Sequence, residues 1–205
     1  MVLYRILKPI VVLLMRLGFR LEVRGRAHVP ATGPLLLVSN HVSVLDPPFV
    51  GGAAPRDLHF LAKEELFAVP LLGRLLRAVN ARPVKRDGSD SRVLKLALRL
   101  LAEGRALLVF PEGTRGVEGE LREGKPGVGM LAVTSGAPVV PVYVSGTGRA
   151  LPRGRAVPRP TKVRVTFGPA LHFKAAGDGD GKKERYREAT QEMMRAIAQL
   201  RDQSV

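Results

Sequence analysis

Three short apolar runs, each followed at once by a polar or glycine-containing turn, constrain the fold of this chain most. They cover residues 35–38, 106–110 and 139–144. Residues 91–103 carry leucines over a wide helical face and stop before Gly104, and glycine is the residue type that commonly ends a helix. Continuous apolar strands alternating with helices are typical of a parallel sheet covered on both faces. We therefore predict an α/β fold with a mostly parallel central sheet flanked by helices.

Two further segments belong to this predicted fold. Residues 161–167 (TKVRVTF) alternate between apolar and polar side chains, so we expect a half-exposed strand at the edge of the sheet. Near the C-terminus, apolar side chains at helical spacing predict a closing helix packed on the core. They are Tyr186, Ala189, Met193, Ile197 and Leu200. No repeat of 20–50 residues is present, which excludes solenoids and propellers.

Residues 1–20 have the pattern of an amphipathic helix. Leucines and isoleucines recur at helical spacing, with Arg5, Lys8, Arg16 and Arg20 as a basic complement. The uninterrupted apolar run, residues 9–15, is far shorter than the roughly 20 residues needed to cross a bilayer. The pattern fits a helix lying in the membrane interface, or a helix packed on the core whose basic side chains reach water. We divide the chain into this segment and a single α/β domain over residues 21–205.

The charge balance indicates anionic partners. The chain has 33 Lys and Arg against 18 Asp and Glu, a formal net charge of +15. Such a surplus suits nucleic acid, lipid headgroups or phosphorylated substrates. The absence of cysteine excludes disulfides, thiolate zinc sites and thiol catalysis. The four histidines, at positions 28, 41, 59 and 172, have no metal-ligand spacing, so we predict no catalytic metal.

The stretch NHVSVLDPPF, residues 40–49, places His41 and Asp46 five positions apart. On a helix this spacing would put the two side chains on different faces. Pro47 disfavours helical angles at Asp46, so we expect a turn in which the carboxylate folds back to the imidazole. A carboxylate that accepts one ring N–H fixes the tautomer and leaves the other nitrogen to accept a proton. This turn follows a strand, and ligands of α/β sheets bind beyond the carboxyl ends of strands.

The other two apolar runs also end in polar residues. The run at 106–110 leads into PEGTR, with Glu112, Thr114 and Arg115. The planar guanidinium of Arg115 suits a phosphate, and Glu112 beside it is expected to hold that group in place. The run at 139–144 ends in Ser145 and Gly146. Three polar clusters at three strand ends predict one shared pocket.

Four motifs over residues 40–146 carry a resemblance to a known family. NHVSVLD, AKEELF with VNARPVKRD, FPEGTR, and VVPVYVSG, in that order, resemble the four motif blocks of the 1-acylglycerol-3-phosphate acyltransferases. The chain departs from the family pattern at Gly116, where many members have Ser, and at Gly124, where members often have an aromatic residue. The second departure weakens any role for the neighbouring Lys125.

The resemblance implies a site and a reaction. His41 would be the general base and Asp46 its partner. The acceptor's phosphate would be bound by Lys63, Arg86 and the EGTR block, which is Glu112, Gly113, Thr114 and Arg115, with the Pro141 segment lining the pocket. The expected reaction moves a fatty acyl group from acyl-CoA or acyl-carrier protein to the 2-hydroxyl of 1-acylglycerol 3-phosphate. No further cofactor is expected, and backbone N–H groups of the His41 turn are our expected oxyanion donors.

The resemblance also implies a membrane-associated enzyme, which we expect on the cytoplasmic face of the cell membrane as a peripheral or monotopic protein. Three alternatives remain open. One is an acyltransferase that acts on another lysophospholipid or on glycerol 3-phosphate. Another is a thioesterase that uses the same residues to activate water. The third is a nucleic-acid-binding protein, because residues 146–177 hold seven Lys or Arg and no acidic residue. Three Tyr, seven Phe and no Trp provide little base stacking, so no nucleic-acid partner is expected.

Overall fold

A computed structural model describes residues 2–84, 90–174 and 181–203. The strands in this part of the chain are β1 (Glu22–Arg24), β2 (Leu35–Ser39), β3 (Leu58–Lys63), β4 (Ala81–Val84), β5 (Ala106–Val109), β6 (Val139–Ser145) and β7 (Arg164–Phe167). They form one sheet in the order β1-β7-β6-β2-β5-β3-β4. Neighbouring strands are parallel except β6 and β7, which are antiparallel. The predicted mostly parallel sheet is confirmed.

Helices cover both faces of the sheet. They are α1 (Val2–Phe19), α2 (Asp46–Ala53), α3 (Pro70–Ala78), α4 (Asp90–Ala102), α5 (Pro126–Ser135), α6 (Thr147–Ala150) and α7 (Lys182–Asp202), with 3-10 turns at Arg26–His28 and Glu64–Phe67. The helix predicted over residues 91–103 is confirmed as α4. Gly104 follows it with a φ of +72°, in the left-handed region that favours glycine.

The central strand β2 shows why the apolar runs are continuous. Leu35 and Leu37 pack into one hydrophobic cluster, beneath α1, α2 and α3. Leu36 and Val38 pack into the other, beneath α4, α5 and α7. All four side chains are fully buried, because both faces of the strand are covered. The stripe predicted on the closing helix α7 is also confirmed, with Met193 and Ile197 completely buried in the second cluster.

The prediction of an edge strand at residues 161–167 is wrong. The strand there, β7, lies between β1 and β6. Its alternating polar residues arise from ion pairs on the neighbouring strand rather than from exposure at an edge. Glu22 of β1 forms ion pairs with Lys162 Nζ at 2.8 Å and with Arg164 Nε at 3.1 Å. Cations paired in this way give the interior strand β7 the alternating sequence pattern of a half-exposed edge strand.

One side of the N-terminal helix α1 packs on α2. A Cβ atom on Gly52 of α2 would lie 3.2 Å from Val12 Cγ2 and 3.3 Å from Met15 Sδ, so the two helices approach closely. On the other side, Leu13, Leu14 and Leu17 are 56%, 62% and 74% exposed. None of the helices in the described part of the chain combines the length and the apolar composition needed to span a bilayer.

Candidate active site

The carboxyl ends of five parallel strands line one edge of the sheet. Strand β6 ends at Ser145 and β3 ends at Lys63. Between them in the sheet, β2 and β5 are followed by loops that contain His41 and Glu112. The next strand, β4, leads toward Arg86, which lies outside the described residues. Neighbouring strands are about 4.8 Å apart, so the residues that follow these ends lie side by side. The structure therefore brings together three of the polar clusters that the sequence indicated.

The His41 and Asp46 side chains meet in the segment between β2 and α2. His41 Nδ1 and Asp46 Oδ2 are 2.8 Å apart. The expected fold-back of the carboxylate onto the imidazole is therefore present, but the expectation that Asp46 avoids helical angles is wrong, because a helix begins at this residue. Asp46 is the first residue of α2, and Pro47 and Pro48 occupy its first turn. Proline is tolerated there because the first N–H groups of a helix have no partner within it.

The Asp46 carboxylate is completely buried and accepts hydrogen bonds from four donors. Besides the imidazole, the backbone N–H groups of Val42 at 2.7 Å and Ser43 at 2.8 Å donate to Oδ2. The hydroxyl of Thr147, also completely buried, donates to Oδ1 at 2.5 Å. These bonds fix the orientation of the carboxylate and compensate for its removal from water.

Thr147 is a positioning residue that the sequence interpretation missed. It begins α6, two residues after β6 ends, and it lies 101 positions from Asp46 in the chain. The signal available in the sequence was a hydroxyl residue close behind an apolar strand, in VVPVYVSGT. Because Ser145 precedes it in the same stretch, the pattern alone could not identify which hydroxyl contacts the carboxylate.

The imidazole of His41 is held on several sides. Its ring stacks on Phe110 with centroids 4.0 Å apart and planes 21° apart. Donation from Nδ1–H to Asp46 leaves Nε2 as the ring nitrogen without a hydrogen-bond partner among the described residues. The side chain is 15% exposed, so it is reachable at the strand edge. This geometry suits a general base, with one nitrogen oriented by a carboxylate and the other available to a substrate proton.

Glu112 supports the backbone of the same loop. Its Oε1 accepts the His41 N–H at 3.1 Å, and its Oε2 accepts the Arg122 N–H at 3.2 Å. The side chain is buried, and burial raises the pKa of its carboxyl despite these two hydrogen bonds. The sequence interpretation placed Glu112 on the phosphate and beside the Arg115 guanidinium. Its observed bonds are to backbone, because a buried carboxylate needs N–H donors and would repel a phosphate.

The expected oxyanion donors are not free. The backbone N–H groups of His41, Val42 and Ser43 donate to Glu112 and Asp46. They therefore hold the two carboxylates and cannot also bind an oxyanion. The expectation that the turn supplies those donors is wrong for these three residues.

The EGTR block forms a turn over the N-terminus of α5. Gly113 has a φ of +70°, and a Cβ there would lie 3.0 Å from Lys125 Nζ. The Lys125 ammonium therefore lies against the block, although the sequence interpretation assigned no firm role to this residue. Thr114 is exposed and Arg115 is partly exposed, with its carbonyl accepting a hydrogen bond from the Arg153 guanidinium. Lys63, the last residue of β3, is exposed at the same sheet edge.

The departure at Gly124 has a packing cause. A Cβ on this residue would lie 2.7 Å from Thr190 Cγ2 and 3.0 Å from Met194 Cγ, both on α7. A larger residue at this position would require the Thr190 and Met194 side chains to shift. Glycine therefore suits the close approach of α7, and its neighbour Lys125 still reaches the EGTR block.

Pro141 does not lie at the strand ends. It is buried within β6, opposite Val38, and β6 continues to Ser145. Four residues of strand span about 13 Å. The predicted pocket-lining role is corrected to a place inside the sheet, where its carbonyl accepts the Gly168 N–H at 2.8 Å. The residues of this strand that adjoin the site are Val144 and Ser145.

Asn40 ties the His41 loop to β6. Its side-chain amide donates to the Val144 carbonyl at 2.9 Å, and its oxygen accepts the Val144 N–H at 2.8 Å. Among the described residues, no group of three or more His, Asp or Glu is arranged to hold a metal ion. The chemistry available in the described residues is proton transfer by His41, oriented by Asp46, beside the cations of the EGTR turn and β3.

Comparisons with known proteins identify the family. The family model described as Acyltransferase matches residues 20–145. A chloroplastic 1-acyl-sn-glycerol-3-phosphate acyltransferase of Arabidopsis thaliana is 31% identical over 77% of this chain and 45% of its own length. A lyso-ornithine lipid O-acyltransferase of Pseudomonas aeruginosa is 38% identical over 66% of this chain and 52% of its own length.

A solved structure agrees with these relatives. The 1-acyl-sn-glycerophosphate acyltransferase of Thermotoga maritima superposes with a TM-score of 0.74 at 27% identity, covering 96% of this chain and 80% of that one. The chain spans about half the length of the first curated relatives that it matches. The family model matches more than half of the chain. The matched residues include strands β1 to β6 and the loops that carry His41, Asp46 and the EGTR turn. On these grounds the chain belongs to the acyltransferase family.

Proposed function

We propose that this protein transfers a fatty acyl group from a thioester donor, acyl-CoA or acyl-carrier protein, to the 2-hydroxyl of 1-acylglycerol 3-phosphate, giving phosphatidate. The observation that carries the proposal is the 2.8 Å contact between His41 and Asp46 at a strand edge shared with Lys63 and Arg115. A base beside a group of cations suits an acceptor that has both a hydroxyl and a phosphate. The acyltransferase relatives support the same reaction class.

In the proposed reaction, His41 Nε2 takes the proton of the 2-hydroxyl as the oxygen attacks the thioester carbonyl. Asp46 stays ionised and stabilises the imidazolium that forms. Collapse of the tetrahedral intermediate breaks the carbon–sulfur bond, and the imidazolium returns its proton to the leaving thiolate. No residue of the chain becomes covalently acylated, so both substrates bind together, in line across His41.

In the proposed complex the acceptor's phosphate lies on the β5 and β3 side of His41. Lys63 and Arg115 contribute charge there, and we add Lys125 because its ammonium lies against Gly113. Arg86 is assigned to the same group by its motif alone. Glu112 is assigned to the His41 backbone instead, since its carboxylate is already bound there.

Arg115→Ala is expected to raise the KM for lysophosphatidate about tenfold to a hundredfold, because a charge-assisted hydrogen bond contributes about 1.5–3 kcal/mol. The donor's KM should change little, and kcat should fall only as far as the phosphate positions the hydroxyl. Arg115→Lys should recover part of the loss, since an ammonium cannot reproduce the bidentate guanidinium.

Steady-state kinetics with both substrates varied provide the measurement. Arg99→Ala is a matched control, because Arg99 is exposed on the surface of α4, where it pairs with Glu103. A change confined to the donor's KM would place Arg115 in the donor site instead.

The acceptor itself is tested by a panel of lysolipids. The relative named lyso-ornithine lipid O-acyltransferase makes a second acceptor class worth including. Purified protein and labelled acyl-CoA are incubated with four acceptors at equal concentrations, which compete in one reaction. The acceptors are lysophosphatidate, lysophosphatidylcholine, glycerol 3-phosphate and lyso-ornithine lipid. We expect phosphatidate to be the main product, because the cations at the edge favour a terminal phosphate. Preferential acylation of lyso-ornithine lipid would contradict this acceptor assignment.

We further propose that the protein binds the surface of a membrane from its cytoplasmic face, where acyl-CoA and acyl-carrier protein occur. Helices α1 and α3 pack over the same hydrophobic cluster, on one face of the sheet. Both expose apolar side chains outward: Leu14 and Leu17 on α1 are 62% and 74% exposed, and Leu71 on α3 is 81% exposed. A short apolar surface with basic neighbours suits insertion among anionic headgroups.

Vesicle sedimentation tests this attachment. Binding is expected to be stronger to anionic than to neutral vesicles and to weaken with salt. Leu14→Ser with Leu17→Ser should weaken it about tenfold or more, because each buried leucine contributes about 1.5–3 kcal/mol. Val157→Ser is the control, since Val157 is 76% exposed but lies outside both helices. Equal binding to both vesicle types at all salt concentrations would refute the electrostatic part, and unchanged binding of the double variant would refute the role of α1.

A further inference from the structure

A basic cavity lies on the β6 side of His41, opposite to the proposed acceptor site. Its volume is about 580 Å³, within the range of small-molecule sites. Four cations, Arg149, Lys162, Arg164 and Arg201, line it together with Tyr143 and Ser145. Neither the family motifs nor the proposed acceptor site uses the four cations. A concave site with this many cations is suited to an anionic ligand.

The charge of the cavity is only partly balanced by carboxylates. Glu22 accepts a hydrogen bond from Arg24 and forms ion pairs with Lys162 and Arg164, and the Lys162 ammonium is the main cause that lowers the pKa of Glu22 to about 2. Arg201 pairs with Asp202 at 2.9 Å. The exposed Arg149 has no carboxylate partner among the described residues. Cations held this close repel one another, and a bound anion would relieve that repulsion.

The cavity adjoins the catalytic pair through short connections. Ser145 follows Val144, whose backbone makes two hydrogen bonds with Asn40, the residue before His41. Thr147, which holds Asp46, lies two residues before Arg149 on the same short helix. Glu118, next to the lining residue Gly119, accepts the backbone N–H groups of Gly146 and Gly148. The cavity therefore lies next to the β2 strand end, on its β6 side.

The geometry points to this cavity as the site for the phosphates of a coenzyme A-type acyl donor. This assignment rests on the proposed function and selects between its two donors. The donor's phosphates would lie beyond β6 and the acceptor's phosphate beyond β5 and β3, with His41 between them. In that order, the thioester and the attacking hydroxyl approach His41 from opposite sides. The cations line a concavity, which admits a nucleotide, whereas an acidic carrier protein requires an exposed docking face.

Equilibrium binding of coenzyme A tests the site without turnover. The variant is Arg149→Gln with Lys162→Gln. The control is Lys95→Gln with Arg99→Gln, which removes the same charge from two exposed positions of α4. Calorimetric titration of the whole protein should show the Kd for coenzyme A raised about tenfold to a hundredfold in the cavity variant, with less than a twofold change in the control. Arg149→Gln alone guards against a folding defect, since it breaks no described ion pair, and thermal melting checks each protein.

Two acyl donors, one with phosphates and one without, test whether the cavity binds the phosphates of the donor. The cavity variant should lose kcat/KM for acyl-CoA about tenfold or more but keep its value for acyl-pantetheine, which has no phosphate. An unchanged Kd for coenzyme A would overturn the assignment. So would a rise in the KM for lysophosphatidate alone, or use of acyl-carrier protein without any binding of coenzyme A. If the protein transfers no acyl group yet loses coenzyme A binding in the variant, the cavity assignment stands and the proposed function fails.

Discussion

The His41→Ala protein is expected to lose acyl transfer while it keeps its fold. Without the imidazole, no described group at the strand edge is placed to take the proton of the attacking hydroxyl. General base catalysis contributes about 10²- to 10⁴-fold to a rate, and we expect a loss in that range or down to the assay background. The fold should survive because the backbone bond from His41 N–H to Glu112 remains, and Asp46 keeps three of its four donors.

Initial rates of phosphatidate formation at saturating substrate, with thermal melting of the same sample, measure both parts of this expectation. His172→Ala is the matched control, because His172 is exposed and lies outside the site. It should retain full activity. Near-normal turnover by folded His41→Ala protein would remove His41 from the mechanism.

The second large effect is expected for Asp46→Asn, with kcat reduced by about 10³- to 10⁴-fold, by analogy with other carboxylates that orient a catalytic histidine. The amide oxygen can replace Oδ2 and still accept from His41, Val42 and Ser43. The amide nitrogen would then face the Thr147 hydroxyl, which can rotate to accept a hydrogen bond. The loop geometry should therefore persist. What is lost is the negative charge that stabilises the imidazolium, so the defect belongs to the chemical step.

Kinetics separate this interpretation from a structural one. Asp46→Asn should lower kcat with little change in either KM, and the protein should melt as a folded domain. Asp57→Asn provides a control with the same chemical change outside the candidate site. If Asp46→Asn raised both KM values but left kcat intact, the carboxylate would act only on substrate binding and the proposed mechanism would be wrong.

The alternation of apolar strands and helices was sufficient to predict the parallel sheet and its two covered faces. The pair His41 and Asp46 could be predicted because both residues lie in one short segment after a strand. The same local information was misleading at β7. The ion pairs of Lys162 and Arg164 with Glu22 imitate the pattern of an edge strand, and no local pattern records that β1 pairs there.

Long-range contacts were the part that sequence patterns could not supply. Thr147 reaches Asp46 across 101 positions, and Glu112 reaches the His41 backbone across 71. Both depend on the order of strands β6, β2 and β5 in the sheet, which the motifs do not specify. Pro141 was assigned to the pocket by motif, yet the register of β6 places it opposite Val38, away from the strand end. The assignment of Arg86 stays a prediction, since that residue lies outside the described part of the chain.

We propose acyl transfer to the 2-hydroxyl of lysophosphatidate with His41 as the base. One measurement tests it directly. Purified wild-type and His41→Ala proteins are incubated with 1-acylglycerol 3-phosphate and an acyl-CoA whose acyl chain is isotopically labelled, and the lipid products are identified by mass spectrometry. We expect phosphatidate carrying the label at the 2-position from the wild-type protein and background amounts from the variant. Release of labelled free fatty acid without phosphatidate, or equal phosphatidate from both proteins, would contradict it.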